Sequence, residues 1–224
     1  MGWADKPLDA AMIDSPCKVA IVSLHFYGVV GLSKEREMAV IHIKEQGRTL
    51  RETREVIEFL QPFGIWFRRF EGSDQLPEEA DASQILEAYR EPMEELKRTG
   101  GYVTADVINV KPTTPGLEAM LAKFSREHWH DEDEVRFIVH GSGVFHIHPK
   151  EGPVFSVEMF KGDMINVPKG TLHWFDLCQE RTIRAIRLFL DPSGWTPHYT
   201  GSGLDQDFQP LCFGPSYLSA SPTL

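Results

Sequence analysis

The run HWHDEDE at residues 128–134 and the segment GDMINVPKGTLH, which closes on His173, carry the residues best suited to chemistry in this chain. His128, His130 and Glu134 fall on even positions, so a β-strand would point two imidazoles and a carboxylate at one face. His173 is the fourth candidate ligand. Three neutral nitrogens and one carboxylate suit a borderline divalent ion such as Fe, Ni, Mn or Zn. A six-coordinate ion held by four side chains keeps open positions, and open positions mean chemistry.

The residues between the ligands sharpen this reading. Six residues separate Glu134 from Gly141, and Gly162 leads by five residues to Pro168, then to Gly170 and His173. This spacing resembles the two-part cupin signature, HxH(x)3E(x)6G followed by G(x)5PxG(x)2H. Ala122 replaces the signature's leading glycine and Leu177 its closing asparagine, and neither is a ligand position. The resemblance implies a mainly β fold, a cupin-type jelly-roll β-barrel with helices on its N-terminal side.

Within the cupins, the runs FSREHWHDEDEVRFIVHGSGVF, FKGDMINVPKGTLHWF and IRLFLDPSGWTPHY resemble the acireductone dioxygenases, metal enzymes of methionine salvage. The stronger likeness covers about residues 115 to 200, and a weaker one reaches back through FGIWFRRF to about residue 48. Carried over by position, it implies metal ligation by His128, His130, Glu134 and His173, with one Fe(II) or Ni(II) per chain. It implies that Arg136 holds the substrate as a dianion and that Phe124, Phe175 and Trp195 lie around it. Supporting roles fall on Glu127, in metal incorporation, and Asp133, in transmitting conformational change. The implied partners are a small enediol and O2, acted on by a cytoplasmic monomer. Fe(II) would yield the 2-oxo acid precursor of methionine and formate; Ni(II) would yield a shorter carboxylic acid, formate and carbon monoxide. The rival readings are another cupin dioxygenase or isomerase, and a non-catalytic cupin sensor in which the ligands would usually have degraded.

Read without the family, single residues keep ordinary alternatives. His128, His130 and Glu134 could each be solvated surface groups, but then His173 has no reason to sit at the second motif's spacing. A rival pair, His146 and His148, is also HxH, yet position 152 is Gly152 where an acid would be needed. His140 precedes a turn and is expected to be exposed. Arg136 lies two residues after Glu134, on the ligand face of a strand, where it is either a structural ion pair with Asp133 or Glu134 or a cation that favours an ionised substrate. Phe175, two residues from His173, shares that ligand's face, whereas Phe124 and Trp195 could equally be core.

Composition bounds the rest. With 224 residues, of which 42% are hydrophobic, the chain can bury one good core. Its 23 Lys plus Arg against 33 Asp plus Glu give a formal charge of −10, which repels phosphate backbones and anionic membranes and speaks against nucleic-acid or membrane partners. Cys17, Cys178 and Cys212 are scattered and odd in number, a pattern of reduced thiols rather than a disulfide framework.

The elements that must position the ligands are legible from residue 49 onward. Thr49-x-x-Glu52 has the form of a capping box ahead of Leu50, Thr53, Ile57 and Leu60 at helical spacing, before Pro62 and Gly64. IWFRRF and YVTADVINV are expected strands, with helix from Ser83 to Lys97 between them and Pro92 breaking it or opening a second helix. Leu117, Leu121 and Phe124 predict a short helix leading to His128, and β-rich runs follow to about residue 190. The tail beyond Trp195 is expected to be irregular, with 201–224 outside the catalytic domain. The apolar run KVAIVSLHFYGVVG is too short to span a bilayer and lacks a secretory flank. Residues 1–37 are therefore expected to be an extension of a single 38–200 domain, because Met38 opens the segment that resembles the usual family beginning; an added strand packed on the body is the alternative. A chain starting at Met38 is expected to fold, load metal and turn over like the full chain. A large fall in melting temperature or solubility would make the apolar run a core strand instead.

Overall fold

The computed structural model describes residues 38–70, 76–77, 79–192 and 194–208. The chain divides into two units, Met1–Glu35 and Arg36–Leu224, and only the second is described. The expected extension, its apolar run and residues 209–224 lie outside the described residues. In chain order the elements are β1 (Val40–Ile43), β2 (Arg48–Leu50), α1 (Thr53–Leu60), β3 (Trp66–Arg69), α2 (Ala82–Ala88), α3 (Arg90–Gly100), β4 (Thr104–Val110) and α4 (Leu117–Phe124). The C-terminal half is almost all strand: β5 (His128–Trp129), β6 (Glu134–His148), β7 (Phe155–Phe160), β8 (Asp163–Val167), β9 (Leu172–Leu177), β10 (Ile183–Phe189) and β11 (His198–Tyr199).

Fifteen-residue β6 organises the fold because it belongs to two antiparallel sheets. Its first half pairs with β8 and β10, which in turn pair with β3 and β4. Its second half pairs with β7 and β9 in a sheet ordered β11-β5-β9-β6-β7-β1-β2. Among the described residues no ladder joins the free edges of the two sheets, so the architecture is an open jelly-roll-like sandwich rather than the closed barrel expected. The fold is mainly β, as the residue pattern implied.

Side-chain alternation along β6 sets what each face does. Ile138, Phe145 and Ile147 join Ile41, Phe155 and Phe175 in the apolar core between the sheets. Val135, Phe137 and Val139 face the other way, under α2 and α3, with Tyr89, Met93 and Leu96. Glu134 and Arg136 therefore share the inner face with Ile138 and are almost fully buried. The transfer between sheets occurs at Gly141. Its φ of 75° is left-handed, and a Cβ there would lie 2.1 Å from the Thr182 carbonyl oxygen. At Gly143 a Cβ would meet the Phe175 ring at 2.3 Å, so this second glycine leaves room for an aromatic ring that reaches the site.

Several expectations are corrected. Thr49 is not a helix cap: it pairs with His42 in the β1–β2 ladder, and the N-cap of α1 is Glu52, without a side-chain capping bond. A capping box does occur at α2, where Asp81 and Gln84 exchange bonds of 2.9 Å. Pro92, by contrast, meets one of the two expected alternatives: it falls in the first turn of a second helix, α3, where its missing N–H is not needed. Residues 196–208 include β11 and a short 3-10 turn, Leu204–Asp207. Cys178 is disulfide-bonded, against the expectation of reduced thiols; Cys17 and Cys212 lie outside the described residues. Among the described residues no helix is long and apolar enough to cross a membrane.

Gly141→Ala is expected to destabilise the chain by about 2 kcal/mol or more, since it combines a left-handed φ with a clash against backbone. The melting temperature should fall by roughly 5 °C or more. An unchanged melting temperature would show that the sheet crossover is freely adjustable.

Candidate metal centre

His128 sits on β5, opposite His173 on β9, which itself pairs with Ile147 of β6. Glu134 opens β6 and faces the same space from the second sheet. The expected single strand from His128 to Glu134 is broken at residues 130–133, where the chain bends between sheets. Three hydrogen bonds hold this bend. Gly170 N–H donates to the His130 carbonyl at 2.9 Å, and the Asp133 carboxylate accepts Lys169 N–H at 2.9 Å, with Asn166 Nδ2 at 3.4 Å. The PKG turn thus clasps the loop between the ligands.

Candidate ligand atoms from His128, His130, Glu134 and His173 lie within 4.8 Å of one another, and each residue is at most 4% exposed. His130 Nε2 and His173 Nε2 approach the same oxygen, Oε2 of Glu134, at 3.2 and 3.1 Å. The far nitrogen of every ring is engaged by a backbone carbonyl: His128 Nδ1 by Arg126 at 2.6 Å, His130 Nδ1 by Thr196 at 2.9 Å, His173 Nδ1 by Thr171 at 2.8 Å. A carbonyl oxygen can only accept, so each Nδ1 carries the hydrogen and each neutral ring turns its Nε2 lone pair inward. Lone pairs facing a carboxylate oxygen repel unless a cation lies between them. The donor set therefore fits a divalent ion, with the outer contacts that orient metal-binding histidines already in place.

The electrostatics agree. Burial pushes the carboxyl of Glu134 up, but Arg136 and the two imidazoles overcome it and hold the group well below the ordinary carboxylate range. Burial, with His173 nearby, pushes His128 down to about 4, so it is neutral at pH 7. Burial also acts against charge on His130, yet contact with Glu134 raises it overall. A proton on His130 thus competes with a metal for the same space.

Arg136 lies beside the ligands, 2% exposed, with its Nη2 donating to Glu134 Oε1 at 2.6 Å. Its guanidinium stands 4.7 Å from the Phe175 ring centre, 5.3 Å from Phe145 and 5.8 Å from Trp195. Trp195 stacks at 5.9 Å on His130 and contacts Phe189 at 4.6 Å. Arg136 Nε and Trp195 Nε1 are buried without a hydrogen-bond partner among the described residues. Trp195 also lines a cavity of about 300 Å³, together with Asp106, Arg187, Phe189 and Gly194. Phe124 is partly buried on α4, packed against the apolar core that includes Phe145 and Phe175. Glu127 points away from the centre and binds His148 at 2.7 Å. The rival histidines are thereby placed elsewhere, since His146 bonds Ser156 at 2.8 Å and stacks on Trp174. His140 is exposed, as expected.

Sequence reasoning missed Phe145, Thr200, Ser202 and the three carbonyls that orient the imidazoles, and it read His148 only as a strand residue near the site or on the surface. Phe145 is the β6 residue opposite Phe175, but it stands at odd spacing from Glu134, so the strand period did not point it at the ligand face. The carbonyls offered no signal at all.

Two antiparallel sheets sharing one long strand, with three histidines and one glutamate converging between them, define a metal-binding cupin. The chain belongs to the ARD/ARD' family, whose model matches residues 42–197. It is 40% identical over 174 residues to an acireductone dioxygenase of Picosynechococcus sp., covering 78% of this chain and 99% of that protein. It is 42% identical over 158 residues to one of Xylella fastidiosa, covering 70% and 84%. Among solved structures it is similar to the acireductone dioxygenase of Bacillus anthracis with a cadmium ion in its active centre, at a TM-score of 0.69 and 35% identity over 73% of this chain and 99% of that one.

His128→Ala and His173→Ala are each expected to remove most of the bound divalent ion, measured by elemental analysis, whereas His140→Ala should keep it. Because the proton on His130 is held more tightly than usual, metal binding should weaken as pH falls through the histidine range. Full metal content in both ligand variants would refute the assignment.

Proposed function

We propose that this chain is a metal-dependent acireductone dioxygenase. The substrate would be 1,2-dihydroxy-3-keto-5-methylthiopentene, cleaved with O2. Loaded with Fe(II), it would give 4-methylthio-2-oxobutanoate and formate; with Ni(II), 3-methylthiopropanoate, formate and carbon monoxide. Atoms balance in both cases, and the substrate supplies the electrons that reduce O2. The observation that carries the reading is the juxtaposition of a four-ligand centre with a buried arginine whose Nε has no partner among the described residues.

A divalent ion bound by His128, His130, Glu134 and His173 would supply positive charge and open positions for the ionised enediol. Arg136 supplies a second positive charge. Guanidinium has no lone pair to offer a cation and stays protonated at working pH, so it is not a ligand. Its role is to favour the doubly ionised substrate, and its Nε–H, without a partner among the described residues, is the donor assigned to it. Phe145, Phe175 and Trp195 exclude water around it and so strengthen that attraction. Phe124 completes the substrate's surroundings in the family pattern, and the cavity that Trp195 helps to line is the approach to the site in this reading. Asp133 keeps the loop between the ligands clasped to the PKG turn, and Glu127 supports metal uptake. All four ligands and Arg136 come from one chain, so the site needs no residue of a second subunit, and a monomer is the working unit in this proposal.

Residues 1–37 are an extension outside this catalytic body in the same proposal. In support, the family match begins at residue 42, and 174 residues of the chain account for 99% of the cyanobacterial relative.

Arg136→Ala is expected to keep its metal while losing turnover about a hundredfold or more, a few kcal/mol of transition-state stabilisation. Mixed anaerobically with an acireductone, the wild type should show the red-shifted absorbance of a bound dianion. The variant should bind the monoanion and recover in part as pH rises. Normal turnover with the dianion spectrum intact would leave Arg136 as a structural ion pair with Glu134.

A further inference from the structure

Glu127 adjoins a ligand yet faces away from the centre, and it is only 2% exposed. Its Oε1 accepts His148 Nδ1–H at 2.7 Å. Its Oε2 accepts Ser202 Oγ–H at 2.6 Å and a shorter bond from Thr200 Oγ1–H. Each hydroxyl also accepts a backbone N–H, from Ser202 at 3.3 Å and Leu204 at 3.2 Å, so the hydroxyl hydrogens remain directed at the carboxylate. Thr200 N–H adds a bond of 3.2 Å to the Glu127 carbonyl.

These partners come from the end of β6 and from the strap 195–202 that runs along β5. The strap touches the ligands directly. The Thr196 carbonyl fixes His130 Nδ1 at 2.9 Å, Trp195 stacks on the same ring at 5.9 Å, and the Tyr199 ring lies 6.0 Å from that of His128. Only two residue pairs, His198 with Trp129 and Tyr199 with His128, join β11 to β5. So short a ladder is marginal by itself.

We propose that Glu127, His148, Thr200 and Ser202 form a latch that pins the strap to β5 and thereby holds His128 and His130 in their metal-binding orientation. Thr200, Ser202 and His148 are positioning residues for the ion. The latch rests on the four-ligand reading of the centre and is independent of the substrate assigned to it.

The test loads the full chain with Ni(II), challenges it with excess EDTA and follows metal release. Thr200→Val with Ser202→Ala is expected to release the ion roughly tenfold faster or more, within the range typical of groups that orient metal ligands. Thr200→Ser with Ser202→Thr, which keeps both hydroxyls, should release it at nearly the wild-type rate. A folded double variant that releases at the wild-type rate overturns the latch, as does equal acceleration in the hydroxyl-preserving variant. Should the double variant fail to fold, Ser202→Ala alone is read in the same way, about threefold faster release being expected and an unchanged rate overturning the proposal. Failure of the wild type to take up Ni(II) would instead refute the four-ligand reading beneath it.

Discussion

A single carboxylate oxygen, Oε2 of Glu134, is approached by two imidazole nitrogens whose partner nitrogens are already committed to backbone carbonyls. That constraint makes the centre a cation site. Either a proton or a metal must lie between the oxygen and the rings, and burial of all four residues removes water as the alternative. The geometry also explains the architecture. Glu134 comes from the sheet containing β8 and β10, whereas His128 and His173 come from the other, and one strand belonging to both sheets fixes their separation.

Charge then decides what this site favours. In the metal-loaded form, a dication, the Glu134 carboxylate and the Arg136 guanidinium leave about two positive charges in a region walled by Phe145, Phe175 and Trp195. A dianion neutralises them, and a neutral enol does not. Low polarity raises the cost of leaving the charges unmatched. The proposed role of Arg136 and the chelating character of the substrate thus follow from the same excess, and neither requires a further basic side chain at the metal.

Legibility in the sequence tracked side-chain chemistry. The ligands were readable because imidazole and carboxylate spacing is itself the signal, and the inward direction of Arg136 followed from the two-residue period of β6. Helices α3 and α4 and strands β3, β4 and β6 to β10 were readable from apolar period and turn residues. The unbroken strand from His128 to Glu134 was misread because even spacing survives a bend: both halves present the same face, so periodicity cannot report that residues 130–133 pass between sheets. Thr49 was misread because a capping pattern is local, whereas its pairing with His42 is set by the β1–β2 hairpin.

The remaining parts were illegible for a deeper reason. Arg126, Thr171 and Thr196 orient the imidazoles through carbonyl oxygens, a group common to every residue, so no residue type betrays them. What must be preserved there is the path of the chain, and that path is held at a distance by other side chains: Asp133 against the PKG turn, and Glu127 against Thr200 and Ser202. A tail rich in glycine, serine and proline reads as irregular because it has no apolar period. Small hydroxyl side chains and freely turning backbone are nevertheless what a strap needs to follow β5 closely and bring hydroxyls to a buried carboxylate. The same composition that hid the strap from a search for regular structure thus suits it to finish the metal site.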